Sequence, residues 1–149
     1  MYLKAAGGLV AALVAGGLIG IAAPAQAESP PGCPGTTQIG STAHVSYGGQ
    51  TVASVKQFKG CGKNWAYVYV WQSFVNTGRS FTAQAAIGVY GGATSSEPYS
   101  YPDLRQGATN QRELWSKGAD TLSDCTAAFG GLHIAGDDGF YDTHTSIRC

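Results

Sequence analysis

Over residues 65–75 large apolar side chains recur at every second position, with Trp65, Tyr67, Tyr69 and Trp71 on one side and Ala66, Val68, Val70 and Phe74 on the other. A period of two is the signature of a β-strand, which turns successive side chains to opposite faces. Both faces here are apolar enough to need cover, so this strand belongs inside a layered β domain. No stretch after residue 27 keeps a helical period of 3.6 over ten residues, and the rest of the chain reads the same way. Residues 42–47 and 51–58 are β-branched and alternating, and the Gly48-Gly49 pair between them tolerates the positive φ of a tight primed turn, which predicts an antiparallel hairpin. Residues 80–90 set Phe81, Ala83, Ala85, Ile87 and Val89 on one face. They are expected to pair with 65–75 as a long hairpin across Asn76-Thr77-Gly78-Arg79, with Gly88 marking a bulge or bend.

Residues 91–111 are rich in Gly, Ser, Thr and Pro and contain Pro98-Tyr99-Ser100-Tyr101-Pro102, so they read as a long loop with at most an edge strand. Loops of that length in compact domains tend to carry function. Short strands are expected at 112–116, 121–129, 132–135 and 143–148, separated by Gly118, by Gly130-Gly131 and by Gly136-Asp137-Asp138-Gly139. The predicted class is all-β: a small, disulfide-stapled antiparallel β-sandwich or partly open barrel. It forms one domain over 42–149, preceded by an extended N-terminal segment, 28–41, that lies outside the core.

The first 27 residues are an address. Lys4 supplies a positive charge, 7–23 is an uninterrupted small and apolar run, and Pro24-Ala25-Gln26-Ala27 provides the Ala-x-Ala step of signal-peptide cleavage. A membrane anchor is the competing reading, but five glycines make the run a poor helix and no basic stop-transfer cluster follows. The expected location is therefore secreted and extracellular, with no membrane attachment after cleavage. All four cysteines, Cys33, Cys61, Cys125 and Cys149, lie beyond the leader, and an even number in an exported chain implies two disulfides. Of the three pairings, Cys33 with Cys61 and Cys125 with Cys149 is favoured because each closes a short loop. No pair has metal-ligand spacing, so a zinc site is not expected.

Formal charge is zero, from nine basic against nine acidic residues, and loss of Lys4 with the leader leaves eight against nine. A nucleic-acid binder that works by phosphate neutralisation would carry a basic excess, so that class is excluded. Apolar content of 44% is enough for a core, which excludes an acidic disordered chain.

Three groups of residues are candidates for chemistry. The stripe Trp65, Tyr67, Tyr69 and Trp71, with Tyr99 and Tyr101 in the loop, is either core or a surface that anchors a protein or stacks on sugar rings. The run 136–144 gathers Asp137, Asp138, Asp142 and His144, but it lacks the Asp-x-Asp-x-Asp-Gly spacing of a calcium loop and reads as a solvated acidic turn. His44 or His133, with Glu97 or Glu113 and Arg79 or Arg112, could supply the base, acid and cation of a nuclease or hydrolase. No Gly-x-Ser-x-Gly, His-Glu-x-x-His or Cys–His signature accompanies them, so no catalytic residue, metal or cofactor is assigned.

The stretch Gly49-Gln50-Thr51-Val52-Ala53-Ser54-Val55-Lys56-Gln57-Phe58, followed by Cys61 and Trp65-Ala66, resembles the core signature of the YjfA-like family of small secreted Gram-positive bacterial proteins. That signature leads a strand into a cysteine and then a Trp-Ala pair. Lys56-Gln57-Phe58 stands where the family has Arg-Tyr-Ser. The resemblance implies a disulfide-bonded β domain without an established enzymatic site, and some relatives look like adaptor subunits of secreted antibacterial toxin particles. The expected function is a secreted, non-enzymatic binding module, foremost a protein–protein adaptor in an extracellular assembly. A carbohydrate or cell-wall binding module and a small secreted hydrolase or ribonuclease are the alternatives.

Overall fold

The computed structural model describes residues 28–149; the leader reading of 1–27 lies outside the described residues. Two four-stranded antiparallel sheets pack face to face. The first is built from β1 (Thr37–Tyr47), β2 (Gln50–Gly60), β3 (Lys63–Val70) and β6 (Glu113–Trp115), in the order β1-β2-β3-β6. The second has the order β5-β4-β7-β8, from β4 (Phe81–Tyr90), β5 (Arg105–Gln106), β7 (Cys125–Ile134) and β8 (Phe140–His144). The all-β sandwich expected from the alternation is therefore the observed fold. Its core lies between the sheets, where Val55, Val68 and Leu114 of the first face Ala85, Ile87 and Leu132 of the second, all fully buried.

The first hairpin forms as its turn dictates. Gly48 and Gly49 both take positive φ, at 57° and 77°, and Tyr47 pairs with Gln50. β1 starts at Thr37, five residues earlier than expected, because Thr37, Gln38 and Ile39 find partners on β2 in Lys59, Phe58 and Gln57. The N-terminal segment is thus partly strand, and Cys33 within it is buried rather than peripheral.

Four expectations fail for identifiable reasons. The strand at 65–75 ends at Val70; Trp71 takes φ −69°, ψ 143° and caps a single helical turn, α1 (Gln72–Val75), that carries the chain from one sheet to the other. β3 and β4 consequently do not form a hairpin. β3 pairs with β2 and β6, whereas β4 pairs with β5 and β7. Gly88 is not a bulge, since the β4–β7 register runs unbroken through Gly88 and Ala127. Finally, Gly130-Gly131 is not a turn but the middle of β7. A Cβ at Gly130 would overlap Val68 Cγ2 and lie 2.9 Å from Val55 Cγ2 across the core, and one at Gly131 would lie 2.6 Å from Phe140 Cζ. These glycines set how closely the sheets and rings approach.

The disulfides are Cys33–Cys61 and Cys125–Cys149, the favoured pairing. The first ties the N-terminal segment to the β2–β3 turn, and the second ties the start of β7 to the segment after β8. Each bridge lies within one half of the sandwich. Among the described residues no helix is long and apolar enough to cross a membrane.

Candidate functional site

The register places the side chains of the first sheet's outer face in rows. Phe58 stands beside Trp65, Lys56 beside Tyr67 and Trp115, and Ser54 beside Tyr69 and Glu113. Half of this face is closed. Cys33 packs on Phe58, Trp65, Tyr67 and Trp115 as a second small core. Ring centroids there are 4.5 Å apart for Tyr67–Trp115 and 5.0 Å for Phe58–Trp115. Lys56 Nζ meets the Glu28 carboxylate at 2.7 Å, and Trp65 Nε1 donates to the Gly60 carbonyl at 3.0 Å. Burial, reinforced by the negative charges of Glu113 and Glu28, pushes the Tyr67 phenol well above its ordinary value. Trp65 and Tyr67, only 8% and 3% exposed, are packing residues, so the four-ring exposed platform is corrected to its last two members.

Those two lie on the open half. Trp71 is 36% exposed; its Nε1 donates to Ser54 Oγ at 2.9 Å, and the His44 ring stands edge-on at 5.9 Å. Tyr69 is half-buried, with the Arg112 guanidinium 5.0 Å from its ring centroid. Arg112 Nη2 donates to Tyr69 Oη at 2.6 Å and Nε to the Val70 carbonyl at 3.2 Å. Trp71, just past β3, and Arg112, just before β6, are thus held beside Tyr69 at one end of this face.

The outer face of the second sheet brings together residues far apart in sequence. Tyr101 from the long loop lies 5.1 Å from Phe129 on β7; Phe129 is 5.9 Å from Phe140 on β8, and Phe140 is 4.6 Å from His133, all between ring centroids. Tyr101 is 39% and Tyr99 69% exposed. The loop that carries them is fastened to β4. Tyr99 N–H donates to the Val89 carbonyl at 2.8 Å, and Ile87 N–H donates to Asp103 Oδ1 at 2.6 Å. Asp103 is buried, and its Oδ2 has no hydrogen-bond partner of good geometry. Burial outweighs the nearby Ser116 hydroxyl and backbone N–H groups and raises its carboxyl above the ordinary value.

The residues considered for acid–base chemistry do not converge. His44 and Glu113 share a row but stand three strand spacings apart, about 14 Å across the sheet. His133 is on the other sheet, and Arg79 lies 5.6 Å from the Tyr47 ring centroid. His133 and Asp137 both line a shallow cleft of about 260 Å3, but both oxygens of Asp137 are engaged. Tyr141 Oη donates to Oδ2 at 2.8 Å and Gly139 N–H to Oδ1 at 3.1 Å, and these bonds hold the Asp137 carboxyl below its ordinary value. Among the described residues no three of His, Cys, Asp and Glu come together as a metal site.

Sequence reasoning did not identify Phe129 and Phe140 as surface aromatics. Reading Gly130-Gly131 as a turn severed the strand that joins Phe129 to the rest of the face, and nothing local marks two rings separated by eleven positions as neighbours. Comparison of the chain with protein-family models, with curated proteins and with solved structures finds no match.

Proposed function

We propose that the protein is an extracellular, non-enzymatic binding module that acts as an adaptor, holding another secreted protein against the open half of its first sheet. The observation that carries this reading is the Tyr69–Trp71–Arg112 cluster, in which Trp71 is exposed, Tyr69 and Arg112 are half-buried, and all three are held by hydrogen bonds or ring contacts. Trp, Tyr and Arg dominate protein-interface hot spots because they combine large contact area with oriented polar groups, and fixing them beforehand reduces the entropy lost on binding. Near-neutral charge agrees with recognition by shape and neutral hydrogen bonds. Two disulfides, together with the leader sequence, support export. The likeness of 49–66 to the YjfA-like signature supports an adaptor role within a larger assembly.

The test is affinity purification of the tagged protein from culture supernatant, in parallel with Trp71→Ala and Arg112→Ala. One stoichiometric partner should be recovered with the native protein. A hot-spot truncation should weaken its binding by more than about tenfold while leaving the circular dichroism spectrum unchanged. Recovery of only the monomer, or of a partner indifferent to both substitutions, overturns the reading.

A further inference from the structure

We infer that the outer face of the second sheet is a separate binding platform for neutral polysaccharide. Its centre is the strip Tyr101, Phe129, Phe140 and His133, a continuous run of rings spaced 5.1, 5.9 and 4.6 Å apart. What makes it a platform is the floor beneath. A Cβ at Gly88 would lie 3.3 Å from Tyr101 Cε1, and one at Gly131 would lie 2.6 Å from Phe140 Cζ. The two glycines therefore let the rings settle onto the backbone instead of standing away from it. Successive rings are tilted by 52°, 36° and 40° to one another, so the strip is a stepped rather than a flat row of rings. The negative face of an aromatic ring attracts the weakly positive C–H groups that cover one side of a pyranose, so a row of such faces suits successive sugars of a chain.

Charge selects the class of occupant. By register, the side chains that share this face with the strip include Gln84, Gln106, Asp142 and His144, and no Lys or Arg. Gln84 and Gln106 are already hydrogen-bonded to each other at 3.3 Å. Burial, and after it the charges of Glu97 from the loop and of Asp142, raise the Tyr101 phenol above its ordinary value. Carboxylates with no Lys or Arg on the same strand faces disfavour phosphates and uronates, and they accept hydrogen bonds from sugar hydroxyls. The surface is also preformed, because Asp103 and the Val89–Ser100 pairing hold the loop that supplies Tyr101. This face lies on the opposite side of the sandwich from the Tyr69–Trp71–Arg112 cluster, so it stands or fails independently of the protein-binding reading.

The experiment is depletion of the disulfide-bonded protein from solution by insoluble cellulose, chitin and xylan, compared for the native chain, Tyr101→Ala, Phe129→Ala and Trp71→Ala. At least one polysaccharide should retain the native protein, and retention should survive about 1 M salt, which screens charge attraction between exposed groups. Tyr101→Ala, at an exposed ring, should weaken retention about two- to tenfold, the value of one stacked ring. Trp71→Ala should leave it unchanged. Phe129→Ala, whose folding is checked by its melting temperature, should weaken retention at least as much. No retention on any of the three, retention indifferent to Tyr101→Ala, or equal loss with Trp71→Ala overturns the inference.

Discussion

Alanine at Gly130 tests how the two sheets are spaced. The added methyl would overlap Val68 Cγ2 and lie 2.9 and 3.2 Å from the two γ-carbons of Val55, both residues fully buried in the facing sheet. Neither valine can swing away, since each is stiff at χ1 and enclosed by core. Overpacking of this kind costs about 1–3 kcal/mol. Replacing glycine also restricts the unfolded chain, which offsets about 0.4–1 kcal/mol. The expected net loss is about 1–2 kcal/mol. Val68→Ala alone should lose about 2 kcal/mol by opening a cavity. In the double variant the new methyl fills the space vacated by Val68, so the combined loss should fall short of the sum by at least about 1 kcal/mol. Urea unfolding under non-reducing conditions, followed by tryptophan fluorescence, measures all four corners of this cycle. A loss below about 0.5 kcal/mol for Gly130→Ala, or additivity within about 0.5 kcal/mol, would refute the claim that this glycine fixes the sheet separation.

Asp103→Asn should stabilise the protein more as pH rises. The native carboxyl titrates above its unfolded value near 3.8, so in that window the folded state binds more protons and wild-type stability falls as pH increases. Asparagine can still accept from Ile87 and never charges; denaturant midpoints at acid and neutral pH should show its relative gain growing, and a shrinking gain would contradict the burial argument. Replacing both Cys33 and Cys61 by Ser should cost about 2–4 kcal/mol and loosen the segment over Trp65, Tyr67 and Trp115, detected as a red-shifted tryptophan emission and new dye binding. Lys56→Ala should cost no more than about 1 kcal/mol at low salt and less at high salt, because the Glu28 ion pair is partly exposed. A larger, salt-independent loss would mean that packing of the lysine stem dominates.

Local chemistry made much of the fold legible. Gly48-Gly49 announced the first hairpin because few other residue pairs take two positive φ values, and the inward face of β4 was written as Phe81, Ala83, Ala85 and Ile87. What escaped was everything decided by distant neighbours. Trp71 continues the alternation of β3 but leaves the strand, and no polar cap announces α1. A glycine pair signals a turn and a close approach equally well, and only the presence of Val68 and Phe140 distinguishes the two at Gly130-Gly131. Of the six aromatics expected at a surface, Tyr69, Trp71, Tyr99 and Tyr101 are at least partly accessible. Trp65 and Tyr67 are not, because nothing in their own strand reveals that 28–36 folds back over them.

The order of strands also sets a sequence of assembly. β1, β2 and β3 are joined by two tight turns and lie side by side, so this half of the molecule, with its Cys33–Cys61 bridge, can close from contacts near in sequence. β4 comes next in the chain, yet its principal partner, β7, emerges only after the long loop and the return of β6 to the first sheet. In a chain delivered from its N-terminus, β4 would wait with its hydrogen-bonding edge toward β7 unpaired. The interval between the two bridges is thus the hazardous stage of maturation, and oxidation of Cys125 with Cys149 records that β7 has arrived.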